Sequence, residues 1–352
     1  MAYTTIDDPE AHFQVKTYTG SGSSQAITLD GDTDMAVDVV WIDTLNETEI
    51  NPVMDRVRGT STYGSRTNDT DTDDESNSNT ITAFGTDGFT VGSENRFNQS
   101  SNSFVAWCWL AGGSGSANTS GTINTTKTSA NATGGFSLMT YTGNDTAGAT
   151  IGHGLGAVPH FVIVKCRSAS QSWCVYHHKM ASDPETDAML LNTDAAKFDN
   201  SNRWNDTAPT STLITLGDEN QVNGALDYFA WAWTEKQGYS KFGSYTGNAD
   251  ADGPFVWTGF RPAWIMLKNT NDGSTWMIMD NKRSGYNPTN NRTYANTTTA
   301  QEGAVDRFDI VSNGFKVRTA DADTNRSGDP FIYAAFAEAP FVNSNGVPCN
   351  AR

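Results

Sequence analysis

The chain has 352 residues, with 23 basic against 40 acidic side chains and a formal net charge of −17, which argues against phosphate backbones and anionic membrane surfaces as partners. Its 10 Trp, 11 Tyr and 17 Phe supply too much apolar area for a disordered chain, and no run approaches the ~18 apolar residues of a membrane helix. With 32 Gly, abundant Thr and Asn and few Leu, the composition predicts an all-β fold of strands joined by tight turns. The opening Met-Ala-Tyr-Thr-Thr-Ile-Asp-Asp lacks a basic-then-apolar signal pattern, so synthesis and folding in a cytosol are expected.

In chain order, residues 1–16 come first, with Tyr3, Ile6, Pro9, Phe13 and Val15 spread among polar residues. Pro9 excludes a continuous helix, so this segment reads as an extended arm that docks on a neighbouring protein through Tyr3, Ile6 and Phe13. Tyr-Thr-Gly then begins at Tyr18, and again at Tyr141 and Tyr245. Each is followed, 86, 87 and 86 residues on, by an aromatic run: Phe104–Trp109, Tyr228–Trp233 and Phe331–Phe336. About twenty residues after each Tyr lies a four-residue apolar run, Val39–Ile42, Phe161–Val164 or Trp264–Leu267. In the last two copies this run is preceded by Gly-x-x-Pro and followed by Lys165 or Lys268; the first copy has Asp43 instead. Asn51–Asp55, Trp173–His177 and Trp276–Asp280 recur next, then Asp87–Val91, Leu213–Leu216 and Asn313–Val317. Five landmarks in one order, three times over, identify a duplicated module.

Each landmark reads as a strand. The apolar runs are too short for helices and suit a strand buried on both faces, while Trp-x-Trp puts both rings on one face. The expected organisation is three β-sandwich modules, at 17–113, 136–235 and 236–352, the last with a short C-terminal tail. The Gly/Ser/Thr/Asn tract 114–135 reads as a flexible linker, and 66–80 and 287–301 as long surface loops. Cys108 reads as a core residue. Cys166 and Cys174 face each other across a hairpin in one register and oppose faces in the next.

No hydrolase elbow, phosphate loop, metalloprotease helix or dinucleotide fingerprint is present, so neither a catalytic residue nor a cofactor is assigned. Gly152-His-Gly-Leu-Gly156 precedes a strand rather than a helix and reads as a turn. His177 and His178 are adjacent, hence on opposite faces of a strand. The acidic loop Asp69–Glu75 lacks the central Gly and terminal Glu of a calcium loop, and no metal site is assigned. Trp107, Trp109, Trp231 and Trp233 read as core. The aromatics in polar loops, Tyr63, Trp204, Tyr286 and Tyr294, are the candidates for stacking on a ligand such as a sugar ring.

Ala2–Pro9, the Tyr-Thr-Gly starts, Gly152–Gly156 leading into Pro159 and a Val-Lys strand, and Ala106-Trp-Cys-Trp-Leu-Ala-Gly-Gly113 together resemble virion structural proteins of marine tailed bacteriophages, of tail-fibre type. The resemblance implies that the modules are small β-sandwiches of jelly-roll or lectin-like type, and that the chain is a non-enzymatic component of the particle, as a short tail fibre, knob or capsid decoration. Its partners would be other virion proteins and further copies of itself, with a homotrimer expected because ninety-residue modules are marginal alone. A host-attachment adhesin that binds surface glycan is the alternative; nucleic acid and membrane insertion are not expected.

Overall fold

The computed structural model describes residues 2–60, 62, 64–73 and 77–349. The first copy contains β1 (Phe13–Thr19), β2 (Gln25–Ile27), β3 (Val39–Thr44), β4 (Pro52–Asp55), β5 (Ser65–Arg66), β6 (Ile81–Phe84), β7 (Phe89–Val91) and β8 (Ser103–Trp109). The segment into and through the second holds β9 (Ser116–Asn118), β10 (Thr125–Asn131), β11 (Phe136–Thr142), β12 (Ala149–Gly152), β13 (Phe161–Cys166), β14 (Cys174–His177), β15 (Asp187–Leu190), β16 (Phe198–Asp199), β17 (Leu213–Leu216) and β18 (Asp227–Trp233). The third has β19 (Ser240–Thr246), β20 (Phe255–Trp257), β21 (Phe260–Asn269), β22 (Met277–Asp280), β23 (Arg292–Tyr294), β24 (Phe308–Val311), β25 (Gly314–Val317) and β26 (Pro330–Pro340). Among the described residues helix is confined to single turns, and the protein is all-β.

The large sheets run β1-β8-β3-β4-β5, β16-β15-β14-β13-β18-β11-β10-β9 and β19-β26-β21-β22-β23. Each therefore places the Tyr-Thr-Gly strand beside the aromatic strand, then the apolar run, then the next landmark. Three small sheets, β2-β7-β6, β12-β17 and β20-β25-β24, complete the pattern. In the first copy Ile27, Phe89 and Val91 of the small sheet pack on Val40, Ile42 and Phe104 of the large one. In the third, Val256, Phe315 and Val317 pack on Ile265, Leu267 and Phe331. These are sandwiches, with one face of each large sheet inside.

The other faces meet each other. Trp41, Trp107 and Trp109 of the first copy share one buried cluster with Phe161, Trp231 and Trp233 of the second and Trp264, Trp276 and Phe336 of the third. The Trp109 ring lies 6.4 Å from Trp233 and 5.8 Å from Trp264. Alternation thus sends half of each aromatic strand into its own sandwich and half into a core shared by three copies.

The seams between copies repeat in a cycle. Main-chain N–H groups of Asp73, Lys197 and Gln301 donate to the carbonyls of Arg167, Thr270 and Leu45, at 3.2, 2.9 and 2.9 Å. The first copy thus reaches the second, the second the third, and the third the first. Trp173 Nε1 donates to Arg66 O (2.9 Å), Trp276 Nε1 to Leu190 O (3.0 Å) and Asn51 Nδ2 to Tyr294 O (2.6 Å). The three residues hold one aligned position, and their acceptors lie on equivalent strands. Head-to-tail contacts that close in this way make a ring, here a pseudo-threefold ring within one chain.

Three expectations are corrected. The tract 114–135 is no free linker: β9 and β10 extend the second copy's sheet, with Lys127 opposite Thr140 through Asn131 opposite Phe136. Thr and Ser satisfy a strand whose apolar demand is low, and composition alone hid it. Residues 66–80 and 287–301 include parts of β5 and β23, whose carbonyls are seam acceptors. The segment 1–16 is not a free arm either, because Ile6 and Phe13 are buried. Phe13 stacks 5.1 Å from Phe336, Tyr3 Oη donates to Gly259 O (2.7 Å) and Thr4 Oγ1 to Gln237 O (2.6 Å). The arm docks on its own chain, where its apolar residues finish the shared core.

Candidate functional site

The Tyr-Thr-Gly motif, the strongest sequence signal, is a structural lock. Tyr18, Tyr141 and Tyr245 donate through Oη to the carbonyls of Phe97, Val222 and Thr324, at 2.7, 2.6 and 2.7 Å. The next residues, Asn98, Asn223 and Asn325, are fully buried, and their Oδ1 atoms accept from the N–H of Ser21, Asn144 and Asn248. A Cβ on Gly20, Gly143 or Gly247 would come within 2.1–2.2 Å of a backbone carbonyl oxygen, so only Gly fits. Sequence reasoning missed these asparagines, although each recurs about eighty residues after its Tyr.

Buried charge is concentrated at the seams. Lys165 Nζ donates to Thr70 O and Gln171 O (2.9 and 2.8 Å), and Lys268 Nζ to Asp194 O and Ser274 O (both 2.8 Å). Burial pushes both ammonium groups down to about 8, and the carbonyl cages compensate for lost water. Asp43, at the equivalent position, is bonded to Thr293 of the third copy, and burial pushes its carboxyl up to about 7. Arg283 bonds Asp280 (2.7 Å) and lies 5.7 Å over Trp107, whose Nε1 donates to Asp280 (3.1 Å). Arg58 pairs with Asp55 and Asp73 and lies 3.9 Å over Phe229. These clusters hold sheets together; their atoms face main chain and each other.

The second-to-third seam carries a different chemistry. Arg56, His178 and Asn281 donate their N–H to the carbonyls of Asp38, His160 and Ala263, so one position is an ion pair, an imidazole pair and a neutral pair in the three copies. The His160 and His178 rings lie 4.5 Å apart. Glu235 N–H donates to His160 Nδ1 (3.0 Å), and His178 Nε2 donates to Phe242 O (2.5 Å). Beside them a groove of about 470 Å³ is lined by Tyr3, His160, Glu235, Lys241 and Trp257 among others. His177, on the opposite face, is buried, donates to Tyr333 O and is pushed down to about 3, chiefly by burial.

Of the four aromatic ligand candidates, Tyr63 lies outside the described residues. Trp204 and Tyr294 are buried and are corrected to packing residues. Trp204 sits edge-on to Tyr176, and Tyr294 Oη joins Arg292 to Glu302. Tyr286 is 91% exposed, on a loop whose base is pinned by Asn287 to Ile310. The described part of the acidic loop is held by cations of the chain itself: Asp69 and Asp71 pair with Arg66, and Asp73 with Arg58 and Arg167; Asp74 and Glu75 lie outside the described residues. Gly152 ends β12 and His153–Gly156 leads the chain away from it, with Gly154 and Gly156 at positive φ and the buried His153 ring accepting from Leu155 N–H. Val164, not Cys166, stands opposite Cys174, and all four cysteines are free.

No curated protein and no solved structure matches the chain. One family does, described as a domain of unknown function (DUF7483), and its match runs over residues 8–340, from just before the first strand to the end of the last. That span takes in all three copies and every seam between them, and the chain belongs to this family.

Proposed function

We propose that the protein is a non-enzymatic structural component of a bacteriophage particle, as a short tail fibre, knob or capsid-surface protein, in which three β-sandwiches are displayed as one rigid body. The closed ring carries this reading. Lys165, Lys268, Asp280, Asp73 and His178 are directed into seams, where they fix the copies against each other. Loops and small-sheet edges are left on the outside, as display requires. The ring also bears on self-assembly. Module faces that a homotrimer would bury are already buried within one chain, so further copies would add through outer surfaces. The test is mass spectrometry and cryo-EM of purified particles made with and without the gene. Stoichiometric peptides and density of matching shape are expected; particles complete without the chain would refute the proposal.

A second reading, attachment to host-surface glycan, is favoured by Tyr286, a ring held almost wholly in solvent on an anchored loop. Aromatic faces of this kind stack on planar or C–H-rich ligand surfaces.

A further inference from the structure

We infer that the free edge of β20 is a docking site for an extended segment of another polypeptide, which adds to the small sheet of the third copy as an extra strand. The three copies show why. Val256 stands opposite Phe315, Ile151 opposite Ile214 and Ile27 opposite Phe89. This alignment matches Phe255 with Thr150 and Ala26, and Trp257 with Gly152 and Thr28. In the second copy the edge is already occupied by the chain itself. Ile123 N–H donates to Thr150 O (2.9 Å), Thr150 N–H donates to Thr122 Oγ1 (2.8 Å), and Ile123 forms a parallel bridge with Ile151.

The third copy has the same edge without that cover. Val317 N–H donates to Pro254 O and Thr258 N–H to Asn313 O, both at 3.0 Å. Antiparallel alternation therefore makes Val256 the residue paired with β25 and turns the main-chain groups of Phe255 and Trp257 to the open side. The two residues are 49% and 44% exposed. The other copies manage with Ala, Thr and Gly at these places, and the Trp257 ring, edge-on to Phe341 at 5.5 Å, keeps much of its surface in solvent. β20 does not carry the charged side chain that commonly guards an edge. Two exposed rings flanking unpaired main chain suit strand addition, in which backbone bonds supply affinity and alternate side chains supply specificity. The occupant has an apolar residue beside Val256, as Ile123 lies beside Ile151. Asp252, just before β20, is paired with Lys316 of β25 (2.7 Å), and the exposed Asp250 beside it favours a basic residue at that end. In a particle this would be the anchoring contact, but the surface is defined by geometry that does not depend on the particle reading.

The test uses the full chain and a peptide copying Thr119–Thr126, with and without a flanking lysine, and follows hydrogen exchange at the Phe255 and Trp257 amides. Millimolar peptide should slow both, the lysine form at lower concentration. Phe255→Ala with Trp257→Thr, the first copy's residues, should weaken binding at least tenfold with melting unchanged. Phe255→Pro, which removes the outward N–H together with the ring, should do likewise and serves if the double variant folds poorly. Unchanged exchange with both peptides overturns the proposal. So does triacetylchitotriose perturbing the Trp257 ring without amide protection, which would make the surface a glycan platform. Protection without peptide that disappears on dilution makes the occupant a second copy of this chain, and also overturns it.

Discussion

Asp280→Asn tests whether the three copies are one cooperative body. Asp280 is fully buried on the first-to-third seam, accepting from Arg283 Nε (2.7 Å), Trp107 Nε1 (3.1 Å) and the N–H groups of Lys282 and Arg283. Removing one partner of a buried pair costs about 3–5 kcal/mol, because the other charge stays buried. Asp43 lies on the same seam, with its carboxyl raised by burial and, among smaller effects, by Asp280. In the variant it ionises more readily and partly replaces the lost charge, which places the cost near ~3 kcal/mol. At about 2.1 cal/mol/K per residue, unfolding the whole chain has an entropy of ~0.7 kcal/mol/K, and unfolding one copy ~0.2. The variant should therefore melt in a single calorimetric transition lowered by about 4 °C. A separate transition shifted by about 14 °C, with the rest of the chain unaffected, would refute the ring and leave three beads. Adding Arg283→Met should recover part of the loss, since the stranded cation is then gone.

Burial holds His177 down to about 3 against an ordinary 6.5, so the unfolded chain takes up this proton long before the folded one. Stability linked to His177 is full above about pH 6.5 and falls as pH drops, by about 2 kcal/mol at pH 5. Asp43, pushed up to about 7, acts in the opposite sense, its linked stability being lost as pH rises from about 3.8 to 7. His177→Gln separates the two: the stability gap to wild type in urea should widen by about 2 kcal/mol between pH 5 and 7.5, and a constant gap would show that His177 does not titrate this way. Asn325→Ala strands the carbonyls of Asp250 and Thr319 and the N–H of Asn248, and should cost about 3 kcal/mol or more by urea unfolding. Tyr286→Ala should leave melting unchanged and, under the attachment reading, remove about 1–3 kcal/mol of glycan affinity, the range known for bases stacked on aromatics. Full retention of binding in calorimetry would release Tyr286 from that role.

What the sequence disclosed, and what it hid, divides along a physical line. Constant spacing exposed the duplication, and β-branched four-residue runs exposed β3, β13 and the centre of β21, because a strand buried on both faces must be apolar at every position. The same runs could not say what covers the second face. In Trp107-Cys-Trp109 the odd rings meet other copies and Cys108 meets its own sandwich, yet alternation is identical whether the far side is solvent-facing aromatics, another subunit or another copy. Polar context misled for Trp204 and Tyr294, since a ring in a polar loop is buried whenever the loop folds back over a sheet. β5, β9 and β10 were invisible because their demand is for backbone partners, which Ser, Thr and Arg provide as well as Val.

The aligned positions also show how one repeat came to carry three chemistries. Asp38–Arg56, His160–His178 and Ala263–Asn281 share one backbone hydrogen bond, and Asp43, Lys165 and Lys268 share one place in the seam. In a true homotrimer the seam position held by Asp43, Lys165 and Lys268 would have to serve three identical interfaces at once. Within a single chain the seams are free to differ: the first-to-third seam places Asp43 beside Asp280 and Arg283, and the other two cage a lysine in carbonyls. Each copy therefore specifies its neighbour on either side, because a lysine cage will not accept a second ammonium and an acid pair will not accept a third carboxylate. The same freedom extends to the outside. Duplication relieved two of the three β2-like edges of any need to be alike, so one could be covered by residues 121–123 and another left open with Phe255 and Trp257 beside it.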